Sequence, residues 1–298
     1  MRYEAPESVA AAVGLLKAEK GLAKLLSGGT DLLVQLRSGM VEPDLVVDLK
    51  RLPGAHKIGA EDGGFRIGTG VSAMEMDEHA RLKKAWPGVV EAAMLIGSTQ
   101  IKGRATIVGN LCNASPAADS VPAMIAARAT ARVVGPKGQR DVAVEDVATG
   151  PGKTSLGKGE FVASVFLPKR PARSGDAYLR FIPRTEMDIA VVGCGVSLTL
   201  DAKGSCTDAR VCLGAVGPKA IVVDAGAKAL IGSRLDDAAL DKLAAACSAA
   251  ARPIDDKRGT KAFRIKVAGV LARRAAVIAR DRALGDRALG KGSAGGQH

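Results

Sequence analysis

Aromatic residues make up only 3% of this 298-residue chain, with one tryptophan, two tyrosines and five phenylalanines. The core must therefore be filled by Ala, Val and Leu, and the stacking platforms that single-stranded nucleic acid requires are missing. Cysteine is scarce too. Cys112, Cys194, Cys206, Cys212 and Cys247 form no C-x-x-C pair, and their odd number does not make a complete disulfide framework. Together with the scattered His56, His79 and His298 they supply no zinc or iron–sulfur ligand set, and they read as small core residues. No apolar run approaches the ~18 residues of a membrane span. The N-terminal stretch MRYEAPESVAAAVGLL carries acids and no continuous signal-peptide core, so a cytoplasmic location is the expectation.

What is present is an ordinary globular composition, 47% hydrophobic and enriched in Gly and Ala, with a formal charge of +12. That excess fits nucleic acid, anionic ligands or acidic subunits. The basic residues are dispersed and lack aromatic interleaving, so nucleic acid is the weakest of the three.

Helix and strand signals alternate at the start. A helix opens at Pro6-Glu7-Ser8 and runs through Leu16, Lys24–Leu26 reads as a buried strand, Leu32–Arg37 as a helix and Leu45–Leu49 as another strand. This small α/β layer is taken as residues 1–55. A second module, 56–172, begins with a strand at Phe65 that feeds a Gly-rich corner at Gly68-Thr69-Gly70. Helices are expected over Met74–Lys84, Val89–Ile96 and Val121–Arg128, an ordered and partly buried loop over Gln100–Asp119, a hairpin over Ala131–Val144 and a strand over Phe161–Leu167. The basic, Pro-containing run Pro168–Gly175 marks a boundary. In residues 173–285, two β-like runs, Ile189–Leu200 and Cys206–Val216, precede helices near Asp236–Ala250 and Thr260–Arg280. The apolar face of the last helix is expected at Phe263, Val267, Val270, Leu271 and Val277. Residues 286–298 read as a flexible tail.

Two stretches carry chemistry. In Leu26-Ser27-Gly28-Gly29-Thr30-Asp31-Leu32 the glycines let backbone N–H groups approach an anion, and a helix begins just beyond. The stretch is neither a P-loop nor a G-x-G-x-x-G fingerprint. Taken alone it reads better as a plain strand–turn–helix corner with Thr30 or Asp31 as N-cap than as a phosphate cradle. The second stretch, Lys102–Asp119, places Thr106, Gly109, Asn110, Ser115 and Asp119 in a loop that Ile107, Val108 and Leu111 pin to the core. Such a loop surrounds a polar heterocycle or satisfies its own backbone.

Taken together, these motifs resemble the FAD-binding medium subunit of molybdenum hydroxylases, the xanthine dehydrogenase and carbon monoxide dehydrogenase family. Tyr3-x-x-Pro6-x-Ser8, Ser27–Leu32, Thr106–Leu111 with Ser115-Pro116-x-x-Asp119, Arg184-x-x-x-Asp188-Ile189-Ala190 and Arg258-Gly259-Thr260-x-x-Phe263-Arg264 match it in order. The resemblance implies a mixed α/β (α+β) fold. A vanillyl-alcohol-oxidase-type FAD-binding domain of two subdomains would be followed by a C-terminal antiparallel sheet with helices. It implies that Leu26–Leu32 wraps the FAD pyrophosphate, that Thr106, Gly109, Asn110, Ser115 and Asp119 contact the pyrophosphate, ribityl and nearby flavin, that Val162 lies by the adenine and that Arg180 lies near the flavin N1/C2=O edge.

FAD is expected to be non-covalent, because the FAD loops contain no histidine and the family does not attach flavin at Cys112. Val108 stands where the family has the first glycine of a pair, and a β-branched residue there requires an ordinary backbone angle. The resemblance further implies a heterotrimer, paired as a dimer of heterotrimers. A large molybdopterin subunit and a small subunit with two 2Fe–2S clusters would feed electrons to this chain, which passes them to an external acceptor, NAD⁺ among the candidates. A free-standing FAD-dependent oxidoreductase of the same fold is the alternative, and it would need acid/base residues of its own. A non-enzymatic basic binding module is the third reading, disfavoured by the paired loops.

Overall fold

The computed structural model describes residues 1–285; the expected tail lies outside them. The chain opens with β1 (Arg2–Glu4), α1 (Val9–Ala18), β2 (Ala23–Leu26), α2 (Leu32–Arg37) and β3 (Leu45–Asp48). The three strands form a parallel sheet in the order β1-β3-β2, with Tyr3 and Lys24 both in register with Val46. Parallel neighbours need crossover connections, which the two helices provide. The central strand β3 is buried along its whole length, as a strand flanked on both sides must be. Helix α1 starts later than expected. Ser8 takes the cap, its Oγ accepting from the Ala11 N–H at 3.2 Å, so Pro6 and Glu7 precede the helix.

The second sheet runs β4 (Ile58–Glu61), β5 (Gly64–Gly68), β10 (Phe161–Leu167), β6 (Thr130–Gly135) and β7 (Gly138–Ala143), all antiparallel, with β10 central. Between β5 and β6 lie six short helices: α3 (Ala73–Glu78), α4 (Ala80–Ala85), α5 (Pro87–Met94), α6 (Thr99–Lys102), α7 (Ile107–Cys112) and α8 (Ser120–Ala126). A single turn of 3-10 helix (Val144–Asp146) and a small hairpin, β8 (Ala148–Gly150) with β9 (Lys153–Thr154), lead into β10. Ile67, Met76, Leu82, Val89, Ile107, Leu111, Met124, Val162 and Val165 make the core of this part.

Two expectations change here. The helix over Met74–Lys84 is broken at His79, which ends α3 and caps α4 by accepting the Leu82 N–H on Nδ1 at 3.1 Å. The expected loop over Gln100–Asp119 contains α6 and α7, each too short for a periodic apolar pattern to show.

The C-terminal part is a four-stranded antiparallel sheet, β11 (Ser174–Phe181), β12 (Val192–Leu200), β13 (Cys206–Gly214) and β14 (Ile221–Val222). Helices α9 (Asp224–Leu230), α10 (Asp237–Ala250) and α11 (Lys261–Leu284) accompany it. The expected face of α11 is wrong in part. Phe263 and Val270 are exposed, and the buried stripe is Arg264, Ala268, Gly269, Leu271, Ala272, Ala275, Ala276, Ala279 and Ala283. The reason is distance. A Cβ on Gly175 of β11 would lie 1.7 Å from the Ala279 carbonyl oxygen, so helix and sheet meet backbone to backbone and only small residues fit between them.

Candidate functional site

Strand β2 delivers the chain into Ser27–Asp31 beside the corner that follows β5. Ser27 Oγ donates to the Thr69 carbonyl and sits 3.3 Å from Thr106 Oγ1, so this hydroxyl ties the two motif loops together. Gly28 is pressed onto the second loop, where a Cβ would lie 2.1 Å from the Arg104 carbonyl oxygen. Gly29 has φ +79°, a left-handed angle that glycine adopts without strain. Asp31 stands at the N-cap position of α2, yet its carboxylate makes no cap bond. Among the described residues, the backbone N–H groups of Gly28, Gly29, Thr30 and Asp31 find no acceptor. A side-chain cap at Asp31 would serve only the N–H groups of the first helical turn, so these four would stand open with or without it. The corner leaves a run of donors open.

The second loop enters α7 through Thr106, whose Oγ1 accepts the Gly109 N–H at 2.9 Å. Val108 lies in the first turn of α7, buried, and is absent from the residues with positive φ. The ordinary backbone angle expected for a β-branched residue is what the structure has. Asn110 spends its side-chain carbonyl on Ser120, accepting from the backbone N–H at 3.2 Å and from Oγ at 2.7 Å.

The two loops line one cavity of about 340 Å³, within the usual range for a small-molecule site. Ser27, Gly28, Gly29, Thr30, Asp31, Leu32, Thr106, Gly109, Asn110 and Val162 all line it, with Leu25, Ile96, Val108 and Leu156 as apolar wall. Among the described residues its only basic lining residue is Lys24, against the acids Asp31 and Glu160. Desolvation at the wall raises the Asp31 carboxyl pKa, although much of the residue faces solvent. An anion in this cavity would be held chiefly by neutral donors, the loop N–H groups and hydroxyls.

Four expected residues lie elsewhere. Leu26 is the last residue of β2 and does not line the cavity. Asp119 and Arg180 are bonded to each other. Arg180 Nη1 donates to Asp119 Oδ2 at 2.7 Å and Tyr178 Oη donates to Oδ1 at 2.9 Å. Burial pushes the Asp119 pKa up to about 6, against the opposing effects of the Arg180 charge and the Tyr178 bond. Ser115 lines a second cavity of about 400 Å³ with Pro116, Ile189, Ala190, Arg258 and Arg264. Beside that cavity the two C-terminal motifs meet. Asp188 accepts from Arg258 Nε at 2.8 Å and from Arg184 Nε at 3.3 Å. The Arg258 bond, with the Ile189 N–H, holds the Asp188 pKa down to about 2.

Sequence reasoning missed Thr69 and Lys24, which line the first cavity. The signal for Thr69 was available: Gly68-Thr69-Gly70 at the end of a strand repeats the glycine-and-hydroxyl chemistry of Ser27–Thr30.

The fold and cavity thus define an α/β ligand-binding region followed by a C-terminal sheet-and-helix region. Residues 1–170 match the FAD binding domain in molybdopterin dehydrogenase, and residues 177–278 match the CO dehydrogenase flavoprotein C-terminal domain. The chain is 32% identical over 281 residues to the carbon monoxide dehydrogenase medium chain of Afipia carboxidovorans, covering 94% of this chain and 97% of that one. It is 31% identical over 265 residues to the xanthine dehydrogenase FAD-binding subunit of Escherichia coli O157:H7, covering 88% and 90%. The solved structure of reconstituted CO dehydrogenase from Oligotropha carboxidovorans superposes with TM-score 0.90 at 31% identity, over 95% of this chain and 98% of that one. The chain belongs to the FAD-binding medium subunits of the carbon monoxide dehydrogenase and xanthine dehydrogenase family, whose members are oxidoreductase components. The cavity fits such a cofactor, since it offers unpaired N–H donors for a pyrophosphate and aliphatic walls for a ring.

Proposed function

We propose that this chain is the electron-transfer flavoprotein subunit of a molybdenum hydroxylase complex. It receives electrons from the 2Fe–2S clusters of a small partner subunit and delivers them to an external acceptor, while a large molybdopterin subunit oxidises the substrate. FAD, when bound, supplies the exchange between one-electron and two-electron chemistry. The chain's own residues hold and orient it. The N–H groups of Gly28–Asp31 and the Thr106 hydroxyl take the pyrophosphate, Ser27 braces the loop through its bond to the Thr69 carbonyl, Gly109 and Asn110 border the pyrophosphate, and Leu26 and Leu32 pack behind and beside the loop. Val162 covers the adenine.

Beyond the cavity, Ser115, Asp119 and Arg180 serve the ribityl and flavin end. Asp119 fixes the Arg180 guanidinium through Nη1, and Nε and Nη2 make no hydrogen bond to another described residue. Residues 1–55 and 56–172 share the cofactor as two subdomains, and 173–285 form the C-terminal unit. A cytoplasmic dimer of heterotrimers and non-covalent FAD belong to the same reading. No helix among the described residues is long and apolar enough to cross a membrane.

The observation that carries this reading is the run of unpaired N–H groups at Gly28–Asp31, facing a second loop across one cavity. The test is co-purification of the full-length chain from its native host, followed by anaerobic addition of the complex's oxidisable substrate. Two further chains and bleaching of the flavin absorbance are expected. A chain that purifies alone and turns over a substrate unaided would establish the free-standing oxidoreductase instead.

A further inference from the structure

Thr69 follows β5 and is 1% exposed. Its backbone is fully used, the N–H donating to the Ala163 carbonyl at 3.0 Å and the carbonyl accepting from Ser27 Oγ. Its side-chain hydroxyl has no hydrogen-bond partner among the described residues, although it is buried and the residue lines the first cavity. A buried hydroxyl without a partner is a standing cost to the folded chain, because water solvates it in the unfolded state. A ligand that completes such a group offsets that cost, and Thr69 differs from the other unpartnered buried side chains in lining the first cavity.

The neighbours say what kind of ligand. Thr69 lies against the loop with four unpaired N–H groups, and the lining contains one lysine for two acids. An anionic group here depends on neutral donors. Of the three hydroxyls gathered at this point, Ser27 already donates to Thr69 and Thr106 already accepts from Gly109. Only the Thr69 hydroxyl is wholly uncommitted. A threonine hydroxyl turns about χ1 without moving the backbone, so this uncommitted donor can reorient toward an acceptor in the cavity that the residue lines.

We infer that Thr69 is a cofactor-binding residue whose hydroxyl donates to a pyrophosphate oxygen of the FAD. The inference rests on the reading of this cavity as the FAD site. It adds to the two motif loops a third donor segment, the corner that follows β5.

The experiment uses the full-length chain freed of flavin, as wild type, Thr69→Val and Thr69→Ser. FAD is titrated by the quenching of its fluorescence, and ADP, which carries the diphosphate without the flavin, by competition. Thr69→Val should weaken FAD and ADP alike by about tenfold, the effect of losing one hydrogen bond to a charged oxygen. Thr69→Ser should stay within about twofold of wild type. Without ligand, Thr69→Val should unfold at the wild-type temperature or above it, since an unpaired hydroxyl has been replaced by a methyl of the same shape.

An unchanged FAD affinity in Thr69→Val overturns the inference. So does a loss for FAD that ADP does not share, which would place the donor elsewhere on the cofactor. A lower unfolding temperature of the ligand-free variant also overturns it, by showing that the hydroxyl already has a structural partner. If the wild type binds no FAD, the reading of the cavity and this inference fall together; if it binds FAD and the valine variant binds equally well, only the inference falls.

Discussion

Adding one methyl group at Gly28 should separate the two halves of the cavity. The Cβ of Gly28→Ala would lie 2.1 Å from the Arg104 carbonyl oxygen, 3.0 Å from its carbon and 3.2 Å from the Ala105 Cα. These are backbone atoms and cannot rotate aside. Ordinary carbon–oxygen contact needs about 3.5 Å, so one loop must move by roughly 1.4 Å. Overpacking of this kind costs about 1–3 kcal/mol, or roughly 2–4 °C of unfolding temperature per kcal/mol in a mid-sized chain. The same displacement moves the N–H donors off a bound diphosphate, so FAD affinity should fall by about tenfold to a hundredfold. The assay is thermal unfolding with and without saturating FAD, together with FAD titration. Gly14→Ala is the control. It lies in α1 with nothing within 4 Å of the added Cβ, and should be stabilising by about 0.5–1 kcal/mol. Wild-type affinity and unfolding temperature in Gly28→Ala would refute the argument that contact between the loops builds the site.

Other outcomes follow from the same geometry. Burial raises the carboxyl pKa of Asp119 and of Asp176 to about 6, with the Arg180 charge opposing it for one and the Arg170 charge for the other. The folded state therefore binds more protons than the unfolded state between the unfolded value of about 4 and pH 6, and these groups lower stability as pH rises through that window. Asp119→Asn should remove roughly half of that decline in urea titrations at a series of pH values. Asp188 behaves oppositely. Its pKa is held at about 2, chiefly by Arg258, so its contribution is full above pH ~4 and lost as pH falls toward 2. Arg258→Ala should lower stability at neutral pH, and the gap from wild type should close on acidification, as read by denaturant midpoints. Val108→Gly should cost about 2–4 kcal/mol in denaturant unfolding, from lost burial and added chain entropy, without tightening FAD. Ala279→Leu should cost about 3 kcal/mol or more, because the α11–β11 seam has no room for it.

Much of the site was legible because its chemistry is local. Ser27–Asp31 and Thr106–Asn110 announce themselves by glycine and hydroxyl content, and the structure brings both to one cavity. Whether the first was a plain corner or an open row of donors was not legible, since that depends on which acceptors the folded chain brings to the Gly28–Asp31 N–H groups, and among the described residues it brings none. The Thr69 hydroxyl, the Asp119–Arg180 pair and the Asp188–Arg258 pair join residues far apart in sequence, so only the folded chain shows them.

In the fold, strong apolar runs such as Leu45–Asp48 and Phe161–Leu167 read directly as strands. Strand β11 was hidden because Gly175 and Asp176 are buried within it, against the usual pattern. The inner face of α11 was hidden because close helix–sheet contact selects alanine, while the larger Phe263 and Val270 face outward. The break at His79 has no glycine or proline to signal it; an imidazole accepts the N–H that a helix start leaves over.

The most direct test of the central claim is flavin release from the purified full-length chain. The account predicts a yellow protein that yields one FAD per chain into solution on denaturation, with no flavin left on the polypeptide. A colourless protein that takes up no added FAD would contradict it, and flavin that stays with the denatured chain would contradict the non-covalent site built from these two loops.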